Sequence, residues 1–233
     1  MSNFLGDPGA TARRSMIVSH AEVLMREQQG VQKNMNYRDD GRPSVFLISD
    51  KGDEHTDEWH EAEQLFVVEG HDASTKGVQK KSADQELAHE SGRLSDNGKF
   101  YREAQQYKDG VRREAMQIQV YERLDAGVWY DKGIFSLVDA QRHMKDKRRI
   151  FKFVLSPSFG GADDAYNRER MIPAQVKTIV WERDAGRCAV CQADSALFFE
   201  LVQHARDGGD ASDSDNISLR CSMHTAGTKT GFL

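Results

Sequence analysis

The sequence predicts an α+β protein: a curled β-barrel or sandwich with covering helices, followed by a small zinc-stapled module. Three observations predict it. Between residues 44 and 155 lie five or six short runs that are apolar and β-branched or strictly alternating, with little helix between them. That is the pattern of a sheet that curls on itself. Residues 157–167 (PSFGGADDAYN) then mix Pro, Gly and Asp with little apolar content, which is linker composition. All three cysteines lie beyond it, in two tight turns.

Taken in order, residues 19–28 carry helical spacing and would cover the sheet. Residues 44–49 (SVFLIS) and 64–69 (QLFVVE) read as strands. A second covering helix is expected over 97–108 (NGKFYREAQQYK). Residues 116–122 (MQIQVYE) alternate, 128–140 (VWYDKGIFSLVDA) are strand-like around Lys132-Gly133, and 149–155 (RIFKFVL) alternate again. Beyond the linker, 174–185 has helical apolar spacing at Val176, Ile179 and Val180. The expected division is 1–157, a linker over 158–172, and a module over 173–233.

A chain of 233 residues fits one large domain or two small ones. With 38% apolar residues and 11 Phe, 6 Tyr and 3 Trp, it can build a small core in each, which excludes global disorder. No apolar run approaches the roughly 20 residues that span a bilayer. The start MSNFLGDPG has no basic segment leading into an apolar one, so the chain is expected to be cytoplasmic, with no membrane association. A net charge of −5 excludes coating nucleic acid by bulk attraction. Location matters more than the sum. Residues 142–152 (RHMKDKRRIFK) carry six Lys/Arg and one acid, whereas 50–63 (DKGDEHTDEWHEAE) carry seven acids and one lysine. Either run alone fits a solvated face; together they suggest a basic contact edge beside an acidic pocket.

Cys188 and Cys191 form a CxxC turn, Cys221 and His224 a CxxH turn, with 29 residues between the inner ligands. Two-residue spacers let both side chains of a turn converge on one ion, and zinc takes four such ligands in a tetrahedron. Four protein ligands close the site, so the expected Zn²⁺ is structural and any chemistry sits elsewhere.

The C-terminal segment resembles the zinc-stapled branch of the HNH, or ββα-metal, nucleases, on Trp181, Arg183, Asp184, Gly186, Cys188, Cys191, Gly208, Gly209, Asn216, Cys221 and His224. The resemblance implies a strand histidine acting as general base on water, and a catalytic Mg²⁺ or Mn²⁺ held by an acidic residue and a helix His or Asn. Counting back from the Gly-Gly pair, the acidic position falls on Glu200 and the base position on Leu201, which accepts no proton. His204 is the nearest alternative base, and the helix ligand falls on Thr225.

Residues 1–156 resemble the SRA (SET- and RING-associated) domain. The resemblance rests on Gly6-Asp7-Pro8-Gly9, the strand at 44–49, the acidic segment leading to Phe66-Val67-Val68-Glu69-Gly70, the run from Ser82 to Leu87, and Trp129-Tyr130-Asp131-Lys132-Gly133-Ile134-Phe135, a Y-D-G-I-Y motif with Lys132 inserted. It implies a reader that flips a modified cytosine out of duplex DNA. A flipped base needs stacking faces, a carboxylate for its amino group and a notch for the 5-substituent. Those positions fall on His55, Asp57 or Glu58, Trp59 and Phe66, with Arg148 and Arg149 and their basic neighbours on the phosphates. The two resemblances together imply a modification-dependent DNA endonuclease for 5-methyl- or 5-hydroxymethylcytosine, a homodimer if both strands are cut. The alternative is a modified-DNA binding protein that keeps only the zinc scaffold.

Overall fold

Alternating apolar residues over 116–155 build the three long strands on which everything else is hung. The computed structural model describes residues 17–28, 31, 35–48, 58–60, 65–72, 83–158, 172–203 and 207–225. In chain order its elements are β1 (Ile17–Ser19), α1 (His20–Glu27), β2 (Met35–Asn36), β3 (Ser44–Ile48), β4 (Glu58–His60), β5 (Leu65–Glu69), α2 (Asp96–Lys108), β6 (Met116–Asp125), β7 (Val128–Lys145), β8 (Arg148–Pro157), α3 (Ala174–Arg183), β9 (Leu197–Leu201) and β10 (Ile217–Cys221).

The expected helices and principal strands are present. β7 runs five residues further than its sequence pattern indicated, because exposed Arg142, His143 and Met144 keep pairing with β8. Strands β1 to β8 form one sheet in the order β2-β3-β6-β7-β8-β5-β4, with β1 added to β7. β3 runs parallel to β6 and the remaining neighbours are antiparallel. The expected curled sheet is present as a half-barrel: among the described residues its ends are the two- and three-residue strands β2 and β4. Register shifts at Val120/Tyr121, Arg123/Asp125 and Leu137/Asp139 curl it.

One of these shifts explains the inserted lysine. Val120 faces Gly133 and Tyr121 faces Asp131, so Lys132 is the extra residue of a bulge. α2 starts from Ser95, whose side chain accepts from the Gly98 N–H. It buries Phe100 and Ala104 against Phe46, Phe135, Phe151 and Phe153 of the sheet. α1 starts with a capping box between Ser19 and Glu22.

The cysteine-bearing segment docks on the opposite end of β7 from the β7–β8 turn. Val176 and Val180 of α3, Phe198, Phe199 and Leu201 of β9, and Ile217 and Leu219 of β10 share one buried cluster with Leu124 and Tyr130 of the sheet. Tyr130 meets Phe199 edge-on at 5.7 Å. Within this contact lies a buried ionic triad. Lys177 of α3, fully buried, donates to Glu122 Oε2 on β6, and Lys132 donates to the same oxygen from 3.1 Å. The Lys177 ammonium also lies 4.2 Å from the centroid of the Tyr130 ring.

One carboxylate serves two lysines. Burial drives the Lys177 pKa from its ordinary 10.5 down to about 7, with Glu122 opposing and Lys132 reinforcing the shift. Glu122 is held below the usual carboxylate range: burial raises it, but the two lysines outweigh burial. Between about pH 7 and 10.5 the folded chain therefore binds fewer protons at Lys177 than the unfolded chain. Stability should rise with pH across that window, and the cost of a charged Lys177 should be fully present below it. Lys177→Met is expected to flatten that rise in a denaturant-midpoint series. Glu122→Gln, which strands two buried lysines, is expected to cost about 3–5 kcal/mol.

Candidate functional site

The two cysteine turns meet because β9 and β10 pair antiparallel, Cys221 facing Leu197. The first turn is tightened by Cys188 N–H donating to Ala193 O and Gln192 N–H donating to Cys188 O, with Gln192 in the left-handed region at φ 64°. The ligand atoms of Cys188, Cys191, Cys221 and His224 all lie within 4.8 Å of one another. Cys221 Sγ is 3.3 Å and Cys188 Sγ 3.6 Å from His224 Nδ1, and the Cys191 and Cys221 sulfurs are 3.7 Å apart. A zinc tetrahedron with Zn–S near 2.3 Å has edges of about 3.8 Å. The donor set fits Zn²⁺ in both chemistry and spacing, and leaves no open position. Burial pushes the Cys188 thiol up, but the backbone N–H groups of Cys191, Cys221 and Val190 and the His224 ring overcome it and bring its pKa to about 6. It is thereby poised as a thiolate ligand.

The other residues that carry the HNH resemblance are occupied in holding this hairpin together. Arg183 donates to Ser214 O and Ile217 O, and Asp184 accepts from Leu219 N–H. At Gly186 (φ 63°) any Cβ would stand 2.8 Å from the Trp181 ring, and at Gly209 it would strike Gln203 O. The Asn216 amide is committed to the backbone: it accepts from Gln203 N–H and donates to Gln203 O and Asp210 O.

Leu201, where the resemblance implied a general base, is 6% exposed and points into the shared core. Any residue there is turned away from water. Glu200, its neighbour on β9, is half-buried and Thr225 is buried. His204, and the helix expected after the second turn beyond Thr225, lie outside the described residues. Among the described residues the Cys₃His group is the one cluster of three or more potential ligands.

At the other end of β7, sequence markers far apart in the chain converge. The Gln85 side chain donates to Gly70 O and accepts from Phe151 N–H, while the Asn97 side chain donates to His71 O and accepts from His71 N–H. Asp84 accepts from Arg149 N–H. A Cβ at Gly70 would lie 2.7 Å from Gln85 Oε1 and 2.8 Å from Asn97 Oδ1, so any side chain there would displace the two amides of the clamp. The clamp joins the end of β5 to the base of the β7–β8 hairpin. β4 begins at that same end, Glu58 facing Val67 and Trp59 facing Phe66.

Two expected contacts are corrected. Phe66 is 5% exposed and packs in the core against Phe135 beneath the Lys132 ammonium, so its ring is closed to a base. Arg148 is buried and paired with Glu69 and Asp72, so its charge is compensated inside the protein and not offered to phosphate. Arg149 is exposed. His55 and Asp57 lie outside the described residues. The core role of Phe66 was legible in the alternation of 65–69; the buried acids that neutralise Arg148 carry no local sequence signal.

Metal analysis is expected to give one zinc per chain, and Cys191→Ser to lower it. Because the cysteine cluster also packs against Ile17 of β1, chelation should lower a single unfolding transition for sheet and module together. A sheet that melts unchanged after zinc removal would contradict that coupling.

No protein-family model matches this chain, and no curated protein matches it. Among solved structures it is similar to the SUVH5 SRA domain in complex with fully methylated CG DNA, at 13% identity and a TM-score of 0.44 over 69% of this chain and 99% of that one. It is also similar to SUVH9, at 13% and 0.43 over 64% and 29%, and to KRYPTONITE in complex with mCHG DNA and SAH, at 11% and 0.43 over 62% and 32%.

Proposed function

We propose that this chain reads 5-methyl- or 5-hydroxymethylcytosine in duplex DNA by taking the base out of the stack, with residues 1–157 as reader and the zinc module over 173–233 as a fixture docked on it. The observation that carries this reading is the clamp of Gln85 and Asn97 on Gly70 and His71. It brings the start of β4, at Glu58, to the sheet end that carries the basic hairpin. A base reader needs this juxtaposition: cations on the backbone beside a carboxylate and an aromatic for the extruded base. Trp59 and Asp57 or Glu58 are the proposed base contacts, with His55 beside them.

The resemblance to HNH nucleases and the half-buried carboxylate of Glu200 favour a second reading. In it, Glu200 holds Mg²⁺ or Mn²⁺, His204 activates water, and two copies cut the two strands. With position 201 turned inward, general-base help from the usual place is missing, which costs about 10²–10⁴-fold in rate.

The test is binding of matched duplexes with and without one modified cytosine, at fixed moderate salt, alongside digestion of modified plasmid with Mg²⁺ or Mn²⁺. Preferential binding of the modified duplex, lost in Asp57→Ala, is expected; equal affinity for both duplexes would end the reader proposal. Slow cleavage abolished by Glu200→Ala would establish the second reading, and modified plasmid left intact would confine the chain to binding.

A further inference from the structure

The β7–β8 hairpin continues past the rest of the sheet. β6 stops pairing with β7 at Leu137, and β5 stops pairing with β8 at Lys152, whereas the hairpin pairs on to Lys145 and Arg148. Asp146 and Lys147, at φ 49° and 69°, close it in a two-residue turn whose twist suits the strands. The arm has two unlike faces. Residues directly opposite on an antiparallel pair share a face, so Lys145 and Arg148 lie together, on Glu69 and Asp72. The other face carries Arg142, Met144 and Arg149, all exposed, with Met144 directly opposite Arg149.

That second face is built rather than loose. The Arg142 guanidinium lies 5.1 Å from the centroid of Phe151, which stacks parallel on Phe153 at 5.9 Å and takes the edge of Tyr101 at 5.6 Å. Stacking by its plane leaves the N–H edges of a guanidinium available to an acceptor. Met144, 65% exposed between two arginines, has no counterpart on the neutralised face. A protruding thioether flanked by planar cations suits a surface that is apolar at its floor and anionic along both walls.

We propose that this arm enters the major groove of duplex DNA, Arg142 and Arg149 meeting the phosphates and Met144 lying on base edges. The choice of groove follows from size: two strands about 4.8 Å apart, with their side chains, fit a groove about 12 Å wide and not one of about 6 Å. The inference deepens the reading of the chain as a duplex-DNA binder, by naming the residues that hold the backbone independently of any modified base.

The experiment is fluorescence anisotropy on an unmodified duplex and the same duplex with one 5-methylcytosine, across a salt series, for the full chain. Arg142→Gln and Arg149→Gln should each lower the slope of log affinity against log salt by about 0.9, the share of one phosphate, equally on both duplexes. Met144→Ala should weaken binding about fivefold or more with no change of slope, because it removes apolar contact and no charge. Arg123→Gln, at the opposite end of β6, should leave the slope unchanged. Unaltered slopes in both arm variants, an equal drop for Arg123→Gln, or equal retention on anionic phosphatidylserine vesicles would overturn the proposal. The ratio of affinities for the two duplexes reports the reader separately: a ratio of one with altered slopes would reject base reading and keep the arm, and a preserved ratio with unaltered slopes would do the reverse.

Discussion

Glu122 is the residue on which the arrangement of this molecule turns. Its single carboxylate takes Lys132 from the bulge of β7 and Lys177 from α3, in a place where a lone charge of either sign would be intolerable. The consequence is positional. α3 seats where its lysine reaches Glu122 under the Tyr130 ring, and the apolar cluster of Leu124, Tyr130, Phe199 and Ile217 then closes around it. The cysteine hairpin follows, because Ile17 and Trp181 pack against both that cluster and the buried Cys188 and Cys221. A module that composition would tether on a linker is thus packed against the sheet.

Much of the architecture was legible in the chain because it obeys local rules. The alternation of 116–122 and 149–155, the helical pattern of 97–108 and the paired two-residue spacers each encode their structure within a few positions. What was not legible depends on distant partners. Nothing near Arg148 indicates that Glu69 and Asp72 will neutralise it, and nothing near Leu201 indicates that its strand faces inward onto Tyr130. Lys132 looked like an insertion in a familiar motif; it is the bulge residue that supplies the second cation of the triad. The short strands β1, β2 and β4 escaped notice because two or three residues carry no period.

The layout also constrains how DNA would meet the chain. The basic arm and the docked module lie at opposite ends of β7, where Tyr130 and Lys145 are fifteen residues apart, at most about 50 Å of extended strand. A duplex touching both would span about 15 base pairs at 3.4 Å each. With the module fixed by a buried triad, its distance from the basic arm is set. Residues shared with the HNH pattern, Arg183, Asp184, Gly186, Gly209 and Asn216, are meanwhile employed in holding the cysteine hairpin. Their presence is explained by folding whether or not the module cuts.

A chain that reads modified cytosine as proposed draws that base out of the helix when it binds, and the step can be observed at the base itself. A duplex carrying 2-aminopurine immediately 3′ of a 5-methylcytosine fluoresces weakly while its neighbours stack. Saturating protein should raise that fluorescence several-fold, with no rise on the matched duplex that lacks the methyl group. Tight binding of the methylated duplex with its fluorescence unchanged would contradict the account.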